Sequence, residues 1–259
     1  MEQARRRVAL NNHMPGNLTG YDCPECLNRG KFYSLVEDGP AAGEICVREC
    51  SCMARRRSEL FREKSGLSDL MERYTLENWQ CREQWQANLR NAAAEYAQRR
   101  EGWFYIGGRP GTGKTHICTA LCALLLNQGL STRYMLWRDA SVRAKAVVND
   151  EEAYQEIVRP LKMVTVLYID DFFKMGKTRD RSGQRVRAEP TVGDVNLAFE
   201  IINARYNDSK LLTIFSSEMS IPDILDIDEG IGSRIQQRAR GHDFNVSDKQ
   251  NWRLKNANA

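Results

Sequence analysis

Apolar residues along the chain gather in five short strand-like segments, separated by longer stretches in which apolar positions recur at helical spacing. The runs Trp103–Gly107, Thr132–Trp137, Val164–Asp170, Leu211–Ser217 and Phe244–Ser247 are rich in β-branched and aromatic residues, as strands buried on both faces are. Between the first two, His116–Leu126 carries Ile117, Leu121, Leu124 and Leu125 on one helical face and closes at Asn127-Gln128-Gly129. Cys81–Arg100 and Gly230–Ala239 also read as helices. Alternation of this kind predicts an α/β domain whose doubly wound, parallel, five-stranded sheet carries helices on both faces. Ahead of it, the charged segment Met53–Tyr74, broken at Ser65-Gly66, reads as a connector, and Gly30–Tyr33 with Glu44-Ile45 reads as a hairpin.

A chain of 259 residues is long enough for one substantial core and a small appendage. The expected parts are a module over residues 1–58, a helical linker over 59–80, the α/β domain over 81–250 and a tail over 251–259. Charged residues at 28% and hydrophobic ones at 42% are ordinary for a soluble protein, and no run is apolar enough to span a bilayer. The basic N-terminus lacks the long apolar run of a secretory leader, so a cytoplasmic location is expected. There the eight cysteines suit metal or core positions better than disulfides. A net charge of +4 points to no particular ligand, but Lys174–Arg187 gathers six basic residues against the single acid Asp180 and reads as a mobile cationic loop.

Candidate chemistry begins where the first run ends. Gly108-Arg109-Pro110-Gly111-Thr112-Gly113-Lys114-Thr115 is G-x-x-x-x-G-K-[ST] between a predicted strand and a predicted helix. Its glycines let successive N–H groups face one concavity at a helix N-terminus, a cradle for a triphosphate. Lys114 is placed to reach the β- and γ-phosphates and Thr115 to put its hydroxyl on Mg²⁺. The run Val164–Ile169 delivers Asp170 and Asp171 to a strand end, the first suited to Mg²⁺ and the second to orienting and deprotonating a water. Neighbouring acids on a strand face opposite ways, so both can serve one site only if the strand has ended there. Ser216-Ser217-Glu218 ends a further strand beside them; Ser220 before Ile221-Pro222 is an expected helix cap. Arg234 and Arg238 lie four apart on a helix, a cationic pair that a neighbouring subunit's site could receive.

Cys23-Pro24-Glu25-Cys26 returns about twenty residues later as Cys46-Val47-Arg48-Glu49-Cys50-Ser51-Cys52. Two such turns joined by a hairpin can close a tetrahedral Cys₄ zinc site in a zinc-ribbon-like module. Cys23, Cys26, Cys50 and Cys52 are the expected ligands. Cys46, mid-strand, is held in reserve. Cys118 and Cys122, four apart on the phosphate-loop helix, suit core packing.

Taken together, the phosphate loop, Tyr168-Ile169-Asp170-Asp171, Ser216-Ser217-Glu218, Gly232-Ser233-Arg234 and the cysteine-rich N-terminus resemble the DnaC/DnaI-type replicative helicase loaders. The likeness is strongest to their phage and prophage versions, in the same superfamily as the IstB-like ATP-binding proteins. The resemblance implies an AAA+ P-loop ATPase that uses ATP and Mg²⁺, binds single-stranded DNA, self-assembles, and grips a hexameric replicative helicase through its zinc module. It implies Gly108–Thr115 as Walker A, Asp170 and Asp171 as Walker B, Ser217-Glu218 as the sensor-1 end, and Arg238 or else Arg234 as an arginine finger. Glu218 stands where many relatives carry Asn, and an anion there repels a γ-phosphate unless it is paired. Eighteen residues after Gly241 are too few for a helical lid, which implies a reduced or absent lid and slow intrinsic turnover. A transposition helper, a small-molecule P-loop kinase with the cationic loop as its lid, and a zinc-dependent DNA-binding regulator are the competing readings. The zinc module argues against the first, and the second acid with the arginine helix against the kinase.

Overall fold

A computed structural model of the chain describes residues 1–179 and 183–252, which fold as two compact units, Met1–Leu60 and Phe61–Ala259. The first holds α1 (Glu2–His13) and the antiparallel strands β1 (Lys31–Leu35) and β2 (Ile45–Glu49), and α2 (Cys52–Ser65) begins in it. Asn12 ties α1 to the hairpin by closing two hydrogen bonds on Tyr33, to its carbonyl at 2.7 Å and from its N–H at 2.9 Å. Four buried cysteines form the core of this unit, with Tyr21, Phe32 and Met53 packed around them.

The second unit continues with α3 (Ser68–Arg73), α4 (Gln84–Arg99), β3 (Trp103–Gly107), α5 (Lys114–Asn127), β4 (Thr132–Leu136), α6 (Trp137–Ala146), α7 (Glu151–Met163) and β5 (Val166–Phe172). After the hairpin β6 (Lys177–Arg179) and β7 (Arg185–Arg187) come α8 (Val192–Tyr206), β8 (Leu212–Ser217), α9 (Ile221–Ile227), α10 (Glu229–Arg238) and β9 (Asp243–Asn245). The five strands predicted from apolar runs pair in the order β4-β5-β8-β3-β9, parallel throughout. Side-chain alternation then splits each run between two layers. Trp103, Tyr105, Leu167, Ile169 and Phe215 face one core with residues of α6 to α10, whereas Phe104, Ile106, Tyr168, Leu212 and Ile214 face the other with α4 and α5.

The expected helical linker, 59–80, instead supplies Leu67, Met71 and Trp79 to that second core. The expected cationic loop is in part an antiparallel ribbon, with Lys177 opposite Arg187 and Arg179 opposite Arg185; Asp180 and Arg181 lie outside the described residues, as does most of the expected tail. Caps fix several helix starts. Ser220 accepts from Asp223 N–H at the start of α9, with Pro222 in the first turn, as expected, and Thr191 with Asp194 closes a reciprocal box on α8. No helix among the described residues is long and apolar enough to cross a membrane.

Candidate active site

The loop after β3 is glycine where nothing else fits. Gly108 has φ +137°, and a Cβ there would lie 2.6 Å from the backbone of Val246 and Ser247; at Gly113, φ +92°, it would lie 2.7 Å from the Trp79 ring. The loop therefore turns tightly and delivers Lys114 as the first residue of α5. Lys114 is 7% exposed, and its ammonium donates to the carbonyls of Gly108 at 2.7 Å and Arg109 at 2.8 Å. Burial lowers its pKa to about 8, against the pull of Glu218 and Asp171. Thr112 pins the loop by donating to Arg109 O at 3.0 Å.

Across the cleft, the two acids of β5 meet the geometric condition set by their adjacency. The β5–β8 register shifts between Ile169 and Phe172, and Asp171 adopts φ +52°, so a bulge re-aims the second acid. Asp170 is buried and accepts hydrogen bonds from Tyr134 Oη at 3.1 Å, from Asp171 N–H at 3.1 Å and from the Ser216 hydroxyl. Thr115 Oγ1 donates to it at 3.4 Å, bridging phosphate loop and acid strand. Asp171 opens onto the cleft, where Lys174 Nζ lies 3.0 Å from its Oδ2 and 3.0 Å from Glu218 Oε1. The anion expected to repel a phosphate at Glu218 is thus paired.

These groups border a cavity of about 350 Å³ whose lining includes Tyr74, Pro110, Gly111, Gly113 and Trp252 besides Lys114, Thr115, Asp171, Lys174 and Glu218. Ser217 is elsewhere. It is fully buried, donates to Phe172 O at 2.8 Å and accepts from Met219 N–H at 3.0 Å, so it fastens two strand ends, and Ser216 is the serine that touches Asp170. Arg234 and Arg238 are also outside the cleft of their own chain. Arg234 stacks over Phe199 and Tyr206, at 5.2 and 5.4 Å from the ring centres, and donates to Gly230 O at 2.8 Å. Arg238 lies over Trp103, at the opposite end of β3 from the phosphate loop. Sequence reasoning missed Lys174, hidden in a run of charges, and Ser216, one residue from the serine it favoured.

In the first unit the sulfurs of Cys23, Cys26, Cys50 and Cys52 all lie within 4.8 Å of one another, with Cys23–Cys50 at 3.8 Å and Cys26–Cys52 at 3.5 Å. A tetrahedron with Zn–S bonds of about 2.3 Å has edges of about 3.8 Å, so the donor set and spacing fit zinc. Burial opposes ionisation of Cys26, but the Gly30 N–H, 3.2 Å from its sulfur, and the neighbouring thiols bring its pKa down to about 7. Cys46 is exposed on β2 and outside the cluster. Cys118 and Cys122 are buried in the core of the second unit, where burial raises their pKa values well above the ordinary range.

Residues 104–240 match the ATPase family associated with various cellular activities (AAA). The chain belongs to the AAA family and is an ATPase. It is 25% identical to the phage-like element PBSX protein XkdC of Bacillus subtilis (strain 168), over 92% of this chain and 86% of that one. To the replicative helicase loader DnaC of Escherichia coli (strain K12) it is 27% identical, over 52% of this chain and 56% of that one. In fold, 68% of the AAA chain superposes on 97% of a crystal structure of the DnaC helicase loader with a TM-score of 0.52, at 18% identity.

Proposed function

We propose that this AAA chain is an ATP-dependent loader that places a hexameric replicative helicase on single-stranded DNA at the start of replication. The observation that carries the reading is an assembled cleft, with Lys114, Thr115, Asp170 and Asp171 converging, in a chain that resembles the DnaC loader in both sequence and fold. Gly108–Thr115 cradle the phosphates of ATP or ADP, with Lys114 at the β- and γ-phosphates. Thr115 and Asp170 offer the oxygen donors that Mg²⁺ takes, and the metal when bound neutralises phosphate charge. Asp171 orients and deprotonates the attacking water. Ser217 and Glu218 end the strand beside it, Ser217 by fastening the backbone.

Arg234 or Arg238 serves the cleft of a neighbouring copy in an ATP-dependent assembly, which agrees with the distance of Arg238 from its own phosphate loop. Residues 1–58 hold Zn²⁺ through Cys23, Cys26, Cys50 and Cys52 and contact the helicase, and 81–250 form the ATPase domain, to whose core the stretch 59–80 adds Leu67, Met71 and Trp79. Hydrolysis is slow and is stimulated by DNA or partner. The test is a pull-down with purified replicative helicase and, in parallel, with a purified transposase, each with and without ATP. Nucleotide-dependent capture of the helicase is expected; capture of the transposase instead, or of neither, overturns the reading.

A further inference from the structure

Three carboxylates and two ammoniums meet at the inner end of the cleft, an unusual balance for a site that must admit a polyanion. Asp170 is satisfied by Tyr134, Ser216 and Thr115, and Lys114 is held by its own loop. Asp171 and Glu218 remain as anions facing the cavity, and a single ammonium, that of Lys174, stands 3.0 Å from both. Its placement is built into the fold. Asp171 and Phe173 both take left-handed backbone conformations, with φ of +52° and +54°, which a non-glycine residue adopts only under constraint. The constraint is aromatic: Phe172 and Phe173 are fully buried and stack at 4.2 Å, with Trp137 edge-on to both. That double turn brings Lys174 N–H to Asp171 O at 2.9 Å and returns the lysine side chain to the cleft.

An ammonium has three donors, and two are committed. A terminal phosphoryl group entering between Lys114 and Glu218 offers Lys174 an oxygen carrying more charge than a carboxylate oxygen does. We propose that Lys174 recognises the γ-phosphate and, by leaving Asp171 for it, frees that carboxylate to accept a proton from the attacking water. Glu218 positions Lys174 and keeps it in the cleft through the exchange. With a diphosphate bound, Lys174 stays on Asp171 and the base stays occupied, so the pair reports which nucleotide is present. The hydrolysis step balances: water gives one proton to Asp171 Oδ2 as its oxygen forms a new bond to the γ-phosphorus, and the β-phosphate leaves with the electron pair of the broken P–O bond, while Lys174 only exchanges one ion pair for another.

This inference rests on the nucleotide site proposed above, and its test separates the two. Fluorescent ATP and ADP analogues titrated into wild-type chain report the site itself: no binding of either ends the site reading. In Lys174→Met, ADP affinity should hold within about twofold while the preference for a non-hydrolysable ATP analogue over ADP falls about tenfold, the worth of one charge-assisted hydrogen bond. Lys174→Arg should restore most of that preference. An unchanged ATP:ADP ratio, or equal loss of both nucleotides in a folded variant, overturns the proposal. Wild-type chain gives a second reading that needs no variant. Acetylation of Lys174, followed by mass spectrometry, should be slowed by the ATP analogue more than by ADP, and equal rates for the two overturn it as well.

Discussion

The two units of this AAA protein solve the same problem, excluding water from a centre, with different chemistry. The ATPase unit buries two layers of large side chains on either face of a parallel sheet, Trp103 and Phe215 on one side, Phe104 and Tyr168 on the other. The N-terminal unit has nothing of the kind: its core is four cysteine sulfurs with Tyr21, Phe32 and Met53 only partly buried around them. A module of this size gains little from burial, whereas a structural zinc contributes on the order of 10 kcal/mol. With zinc in the cysteine cluster, as proposed above, one unit would owe its fold to surface area and the other to coordination, and the two should fail under different insults.

The largest effect expected follows directly. Chelation, or Cys26→Ser, should unfold the N-terminal unit outright while leaving the ATPase unit folded and able to bind nucleotide. Hydrogen exchange reads both at once. The amides of β1 and β2 should lose protection and those of β3, β5 and β8 should keep it. Protected β1–β2 amides in metal-free chain would refute the contrast, as would a metal content far from about one zinc per chain in the intact protein.

A second break targets the ATPase unit at a place where burial is polar. Arg205 on α8 is fully buried, and its guanidinium donates to the carbonyls of Leu161 at 3.0 Å, Val164 at 2.8 Å and Leu212 at 2.7 Å and to Thr213 Oγ1 at 2.9 Å. It gathers the chain ends entering β5 and β8, so the acid strand and its neighbour share one anchor opposite the cleft. Arg205→Met keeps much of the volume but strands those acceptors without a donor, at a cost of about 3 kcal/mol or more. Urea unfolding of the ATPase unit should show the loss with the N-terminal unit unaffected; a loss below about 1 kcal/mol would mean that water replaces the guanidinium.

What the sequence made legible follows how local each feature is. The three central strands β3, β5 and β8 were readable because a strand covered on both faces must be largely apolar, and the phosphate loop because its positive φ angles demand glycine within a few residues of Lys114. Strand ends drifted where tertiary structure decides: β5 runs on through Asp171 to Phe172 because its bulge is set by pairing with β8. The same non-local register decides that Ser216, not Ser217, meets Asp170. Arg205 was invisible because a buried arginine and a surface arginine look alike in a helix. Lys174 was absorbed into a charged run whose later residues form a ribbon, although the reading that Glu218 needs a partner already contained the question it answers.

The smallest effect tests the cleft itself through a single proton. Lys114 titrates at about 8 in the free site because burial penalises its charge. Phosphate oxygens against the ammonium raise that value, so above about pH 8 binding must take up a proton, and affinity falls by up to about tenfold per pH unit. Folding responds with the opposite sign, since the unfolded chain holds this proton up to the ordinary lysine range while the folded chain releases it near 8. Stability without nucleotide therefore gains from Lys114 across the window in which affinity is lost. Calorimetry at about pH 7 and about pH 9, in buffers of different ionisation enthalpy, should show proton uptake rising from near zero towards one. Lys114→Arg should flatten the profile, because a guanidinium stays charged throughout. A wild-type profile that is already flat would place the titrating ammonium outside the phosphate site.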